Sequence, residues 1–113
     1  MHEVGIVQSI LEIAEQQTRA ANATCIHMIR LRIGRLTGVV PEAIEHAFTI
    51  LRVGTLAAGA ELDIDYVPAI CWCDACRQEF AADGLYSDCP TCGEPSLIVR
   101  QGHEMELVSL EVS

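Results

Sequence analysis

The sequence predicts an α+β fold: a small mixed three-stranded sheet with two helices on one face, carrying an inserted cysteine-rich subdomain. Three observations lead to this fold class. Helical and strand periodicities alternate from residue 3 to residue 66, five of the six cysteines lie between residues 69 and 96, and an extended apolar pattern returns after them. The chain has 113 residues, of which 50% are hydrophobic, so it can form one core with a small appendage.

The first predicted element is an amphipathic helix from Glu3 to about Ala21. Its apolar residues recur at intervals of three and four, which places them on one helix face. They are Val7, Ile10, Leu11 and Ala14. Gly5 lowers helix propensity, so it predicts a loose first turn or a close approach of other backbone at that point.

A strand that ends at Gly34 follows, because apolar and polar residues alternate with the period of a strand that has one buried face. Ile29, Leu31 and Ile33 alternate with Met28, Arg30 and Arg32. Pro41 then suits the first turn of a second helix, and Gly54 ends it. The buried stripe of that helix consists of Ala43, Ile44, Ala47, Phe48 and Leu51.

A second strand over residues 60–66 directs apolar side chains inward and carboxylates outward. The inward set is Leu62, Ile64 and Tyr66, and the outward set is Glu61, Asp63 and Asp65. Beside the first strand, these carboxylates would face Arg30 and Arg32, which favours that arrangement by a few tenths of a kcal/mol per pair, roughly. We therefore expect the two strands to be neighbours.

Residues 69–96 contain no apolar periodicity long enough for a helix. We expect residues 1–68 and 97–113 to form the core domain, and residues 69–96 to form a second, metal-binding domain. After this insert, residues 97–99 and 105–112 look extended, with Val108, Leu110 and Val112 on one face. A strand in this region would complete the sheet of the core.

Two CxxC pairs separated by twelve residues stand in the insert: Cys73 and Cys76, then Cys89 and Cys92. Two intervening residues let a tight turn direct both sulfurs at one ion, and two such turns complete a tetrahedron. A closed set of four sulfurs is typical of structural Zn²⁺. The alternative is a pair of disulfides or redox thiols, which a reducing compartment disfavours. We therefore predict a zinc-ribbon-like subdomain with four cysteine ligands.

The first three residues, Met1, His2 and Glu3, bring together an α-amine, an imidazole and a carboxylate. The amine, the amide nitrogens of residues 2 and 3 and the imidazole can form a planar four-nitrogen field, a geometry that Ni(II) and Cu(II) favour over Zn(II). The alternative is a frayed, solvated terminus.

The sequence does not decide the roles of four further side chains. Cys71 either competes for the ion through a CxC arrangement or is a strand residue beside the site, and Cys25 is expected to be a small buried residue. His103 is either an additional ligand or a solvated turn residue, and His46 is expected on the exposed face of the second helix.

The charge balance excludes several classes of function. All seven basic residues are arginines, they stand against 16 acidic residues, and the net charge is −9. This charge repels phosphate backbones and anionic membranes, so protein partners and cations remain. The chain also contains no apolar span of about 20 residues, no secretory signal, and no nucleophile–base pair or phosphate loop. We expect a cytoplasmic protein that is not an enzyme.

Taken together, the motifs resemble the HypA/HybF family of hydrogenase nickel-incorporation proteins. The resemblance covers nearly the whole chain, and the order and spacing of its motifs make it specific. These motifs are Met1-His2-Glu3, Leu31-Arg32-Ile33-Gly34, Pro41-Glu42-Ala43, Gly54-Thr55, Gly59-Ala60, both CxxC pairs and the tail from Gly102 to Val112. In the family a glycine often follows the first CxxC, whereas this chain has Arg77.

The resemblance implies a metallochaperone that delivers Ni²⁺ to the large-subunit precursor of [NiFe]-hydrogenase. It also implies a HypB-type GTPase as partner and, in some organisms, service to urease with its accessory proteins. His2 matches the family's nickel ligand, assisted by the backbone of Met1 to Glu3 and by the Glu3 side chain. The matches to its structural zinc ligands are Cys73, Cys76, Cys89 and Cys92.

A rival hypothesis is an acidic zinc-ribbon adaptor that binds a protein partner and transfers no metal. A zinc-ribbon nucleic-acid binder would need a basic face, which the scattered arginines do not supply. Because inserts of this kind can be exchanged between protomers, the oligomeric state is left open between monomer and homodimer.

Overall fold

The computed structural model describes residues 2–82, 88–96 and 98–113, apart from the side chain of His2. Two helices and two small three-stranded sheets make up these ranges. In chain order the elements are α1 (His2–Ala20), β1 (Ile26–Gly34), a 3-10 helix (Arg35–Thr37), α2 (Pro41–Leu51), β2 (Glu61–Val67), β3 (Ile70–Cys73), β4 (Gln78–Ala81), β5 (Ile98–Gln101) and β6 (Met105–Val112). No helix in these ranges is long and apolar enough to cross a membrane.

The first sheet has the strand order β2-β1-β6. It is mixed, because β1 runs parallel to β2 and antiparallel to β6. The core on its helical face combines residues of α1, α2 and β1, among them Leu11, Phe48 and Ile33. The α+β fold class with a mixed three-stranded sheet and a four-cysteine subdomain is therefore confirmed.

The predicted pairing of β1 with β2 is also confirmed, including its charges. Arg30 lies opposite Asp63 and Arg32 opposite Asp65 in the register. Their nitrogen–oxygen distances are 3.8 and 3.6 Å, and Arg30 makes a closer contact of 2.7 Å with Glu111 of β6. Because these side chains are partly exposed, each pair contributes up to about 1 kcal/mol.

The face assignment along β6 was wrong at one residue. Arg30 pairs with Ser109 and Leu31 with Leu107, so the register shifts by one residue and Val108 is the extra member of a β-bulge. As a result, Leu107, Leu110 and Val112 pack against the core, while Val108 is 51% exposed.

The second sheet has the order β4-β3-β5, with both pairings antiparallel. The sequence pattern suggested that the extended residues after the insert return directly to the first sheet. Instead Val99 and Ile98 of β5 pair with Cys71 and Trp72 of β3. The second sheet therefore includes residues beyond the predicted boundary at 96/97, and the division of the chain into domains stays a prediction.

The chain crosses between the sheets at a tight junction. The N–H of Leu36 donates to the carbonyl of Gly102, and the N–H of Gly34 donates to that of Glu104, both at 2.8 Å. A Cβ atom on Gly34 would overlap the carbonyl group of Gly102. Gly102 itself has a φ of +127°, which favours glycine. Two glycines thus allow the return strand to pass directly against the end of β1.

Candidate metal centre

The four cysteines of the two CxxC pairs converge at one end of the second sheet. Cys73 ends β3, and Cys76 lies in the turn that leads to β4. Cys89 and Cys92 lie on the second turn, which is closed by the bridge between Asp88 and Pro95. All four sulfur atoms lie within 4.8 Å of one another, so the arrangement could hold one metal ion.

The sulfur spacing fits a tetrahedral zinc ion. A Zn–S bond of about 2.3 Å requires sulfurs about 3.8 Å apart at the corners of a tetrahedron. The Sγ atoms of Cys73 and Cys92 are 3.5 Å apart, and those of Cys76 and Cys89 are 3.9 Å apart. Four thiolates would fill the coordination sphere and leave no position for a reacting molecule, which is the arrangement of a structural zinc site.

Backbone geometry directs each pair of sulfurs. The N–H of Cys76 donates to the sulfur of Cys73 at 3.4 Å. After each CxxC pair one residue takes a left-handed conformation, Arg77 with a φ of +53° and Gly93 with a φ of +77°. The absence of glycine after the first pair therefore does not prevent this turn, although an L side chain in that conformation costs about 1–2 kcal/mol.

The sulfurs also perturb one another's protonation. The backbone N–H of Cys92 donates to the sulfur of Cys89 and lowers the pKa of that thiol to about 6. The hydrogen bond with the Cys92 side chain and then burial raise the pKa of Cys76 to about 12. One sulfur thus prefers the thiolate and another the thiol. Binding a cation to all four thiolates must therefore release protons.

Two other cysteines lie outside this group. Cys71 is buried in β3, where it pairs with Phe80 of β4, and it is not one of the four clustered sulfurs. Cys25, in the segment that precedes β1, is only partly buried, so the expectation of a buried residue was wrong. Its sulfur makes a weak contact of 3.9 Å with the carbonyl of Ile26.

Of the predicted nickel residues, the structure describes the backbone of His2 and the whole of Glu3, which lie at the start of α1. Met1 and the side chain of His2 lie outside the described part of the chain. α1 begins at His2, and Glu3 is the acidic residue of its first turn. Glu3 borders a cleft of about 270 Å³ together with Ile6 and residues 37–39.

Among the residues that the structure describes, the remaining histidines are not part of a cluster of metal ligands. His46 and His103 are exposed, and His27 shares a hydrogen bond of 2.7 Å with the hydroxyl of Ser113. Within the described residues, the four cysteines are the one group of three or more His, Cys, Asp or Glu side chains that could hold a metal ion.

The sequence pattern did not predict the structural role of Glu104. Its carboxylate accepts the N–H of Gly102 at 2.8 Å. Its own backbone N–H and that of Gly102, with the nearby charge of Arg32, lower the pKa of this carboxyl. Glu104 thereby helps to hold the junction, a role that depends on which strands meet there.

Comparison with known proteins agrees with this architecture. A family model described as "Hydrogenase/urease nickel incorporation, metallochaperone, hypA" matches residues 1–112. The hydrogenase maturation factor HypA of Picosynechococcus sp. is 43% identical over 112 residues, and that of Geobacter sulfurreducens is 41% identical over the same length. Each alignment covers 99% of both chains.

Two solved structures share the fold. The solution structure of the Ni metallochaperone HypA from Helicobacter pylori is 28% identical with a TM-score of 0.66, covering 97% of this chain and 96% of that one. A second solution structure, of HypA protein, has a TM-score of 0.70 and covers 100% and 97%. With its sequence, fold and four-cysteine cluster all in agreement, this chain belongs to the HypA family of nickel-incorporation metallochaperones for hydrogenase maturation.

Proposed function

We propose that this chain binds one Ni²⁺ ion at Met1, His2 and Glu3 and delivers it to the large-subunit precursor of [NiFe]-hydrogenase in the cytoplasm. A structural Zn²⁺ ion would be held by Cys73, Cys76, Cys89 and Cys92. The observation that carries the proposal is the match of the family model from residue 1 to residue 112, since it includes both the leading tripeptide and the two CxxC pairs.

The position of His2 and Glu3 in the first turn of α1 supports a nickel site there. The first four N–H groups of a helix have no partner within it, so deprotonating the amides of His2 and Glu3 breaks no helical hydrogen bond. Two deprotonated amides would neutralise the charge of Ni²⁺. This removes the repulsion that a free cation meets at the positive end of the helix dipole.

The zinc site has a different role in this proposal. Its four sulfurs form a closed set, whereas a chain end can release its ion without disturbing the core. Adding Zn²⁺ to four thiolates changes the formal charge by −4 + 2, from −9 to −11. We therefore assign zinc to structure and the N-terminal site to transport.

The partners follow from the same role. We propose a HypB-type GTPase and the hydrogenase large-subunit precursor as protein partners, with urease accessory proteins where a urease is made. The family description, which names both hydrogenase and urease, supports this set. The net charge of −9 favours partners with basic surfaces over nucleic acids.

The test is metal analysis of untagged, zinc-loaded protein after dialysis against Ni²⁺. We expect one zinc and one nickel per chain, and we expect His2→Ala to lose the nickel and keep the zinc. His46→Ala is the matched control, because His46 is an exposed histidine on α2, and it should keep both metals. Nickel retained in full by His2→Ala, or absent from the parent protein as the adaptor hypothesis expects, would contradict the proposal.

A further inference from the structure

A cleft of about 460 Å³ separates the N-terminal half of α1 from the beginning of β6. Gly5 and Ser9, one helical turn apart, leave a gap on the helix side, and the walls include Ile13, Leu31 and Met105. Among the residues that the structure describes, nothing outside this turn of the helix lies within 4 Å of the position that a Cβ atom on Gly5 would take, so no other described backbone approaches this glycine. Ile13 and Met105 are 45% and 41% exposed, which leaves an apolar surface open to a partner.

The strand beside this cleft has a free edge. In the order β2-β1-β6, and within the residues that the structure describes, β6 has a strand neighbour on one side only. An edge strand offers its outward N–H and C=O groups to an added strand. The bulge at Val108 interrupts β6, so regular pairing would centre on residues 105–107, which border the cleft.

An added strand would place its alternate side chains on the two faces of the sheet. Those on the helical face would enter the apolar cleft. Those on the open face would lie beside β6. The carboxylates of β2 lie beyond β1, but the charged residues of β6 itself are both carboxylates, Glu106 and Glu111. Basic side chains on the added strand would complement this excess of negative charge.

Charge complementarity disfavours a second copy of the chain as the occupant. β6 carries Glu106 and Glu111, so antiparallel pairing of two β6 edges would bring like charges together. The net charge of −9 on each copy adds to the repulsion.

We propose that the cleft and the edge of β6 dock an extended segment of a partner protein in which apolar and basic side chains alternate. The cleft includes Gly5, in the first turns of the helix that begins at His2. The docked partner would therefore lie close to the N-terminal nickel site, a consequence that rests on the proposed function.

The probe is a fluorescent seven-residue peptide of alternating lysine and valine, titrated by anisotropy against the zinc-loaded full chain. Filling the gap with Gly5→Leu or Ser9→Leu should weaken binding about 10-fold or more. Both substitutions raise helix propensity, so the fold should persist. Gln8→Leu adds the same side chain at an exposed position of α1 outside the cleft and should leave the affinity within about twofold.

Two altered peptides test the chemistry of the occupant. Glutamate in place of lysine, and N-methylation of the amides along one edge, should each weaken binding about 10-fold. Equal binding of the N-methylated peptide, or equal binding by the cleft-filled variants, would overturn the proposal. So would a concentration-dependent dimer that Gly5→Leu abolishes, since the occupant would then be a second copy.

The proposed docking surface and the proposed nickel site can be tested independently. Nickel content is measured on the same protein samples, and Gly5→Leu should keep the stoichiometry of the parent. A parent that binds the peptide but takes up no nickel would contradict the proposed function and support the docking surface. The reverse result would contradict the docking surface alone.

Discussion

The two sheets are held together in different ways. Among the described residues, the first rests on thirteen buried side chains that α1, α2, β1 and the adjoining loops bring together. The second buries only four in the same ranges, Cys71, Cys73, Phe80 and Cys89, of which three are cysteines. A unit with so little apolar burial needs a covalent or metal cross-link. The second sheet should therefore depend on metal for its fold, whereas the first should not.

Removal of the metal should unfold the second sheet selectively, and no other change proposed for the two sheets should be as large. Chelation, or Cys89→Ser, should abolish hydrogen-exchange protection of the amides in β3, β4 and β5 while those in β1 and β2 keep theirs. Cys25→Ser, which changes a partly buried cysteine outside the cluster, is the control and should alter neither sheet. If the amides of β3 kept their hydrogen-exchange protection after chelation, the second sheet would not depend on metal, and the two sheets would not differ in this way.

A substitution in the apolar core of the first sheet should destabilise that sheet. Phe48 is 4% exposed, and Phe48→Ala should lower the free energy of unfolding by about 3–5 kcal/mol in urea titrations. Ile50 lies two residues further along α2 and is 60% exposed, so Ile50→Ala should cost about 0.5 kcal/mol or less. Similar losses from both variants would show that the assigned core does not stabilise this unit.

A smaller effect distinguishes the two cysteine turns within the second sheet. Gly93→Ala should weaken zinc binding, because an L residue in the left-handed conformation costs about 1–2 kcal/mol. Arg77→Gly relieves the same strain in the first turn, although the greater freedom of glycine in the unfolded chain offsets part of the gain. Competition with a zinc indicator measures both, and opposite signs are expected. Tighter zinc binding by Gly93→Ala would contradict this account of the turns.

The smallest predicted effect concerns the junction between the sheets. The pKa of Glu104 is lowered from its ordinary value of 4.5, chiefly by backbone N–H groups. Its carboxylate therefore stabilises the fold above that ordinary value, and the contribution disappears as the pH falls through the lowered pKa. Urea titrations should show Glu104→Gln to be less stable than the parent at neutral pH, with a difference that shrinks in acid. A difference of the same size at pH 3, roughly, would contradict this role.

Residue alternation and cysteine spacing predicted those parts of the fold that depend on residues close together in the sequence. Alternating residues placed Arg30 and Arg32 across from Asp63 and Asp65, and the spacing of the cysteines predicted their convergence. The bulge at Val108 was not predictable in this way, because it depends on the register against β1.

The sequence pattern did not predict the pairing of β5 or the cleft between α1 and β6 either. Each depends on where the chain crosses between the sheets or on which elements become neighbours. Gly5 and Ser9, spaced one helical turn apart, were the available signal for the cleft, but their meaning depends on the strand that faces them. The nickel tripeptide is local in sequence, and its role stays a prediction.

We propose that nickel and zinc occupy different donor sets in the same chain. X-ray absorption at the nickel edge, on untagged protein with one zinc already bound, is the direct test of this claim. We predict nitrogen and oxygen neighbours around nickel, including an imidazole that His2→Ala removes, and no sulfur. Sulfur neighbours around nickel, with zinc displaced from the four cysteines, would contradict the claim.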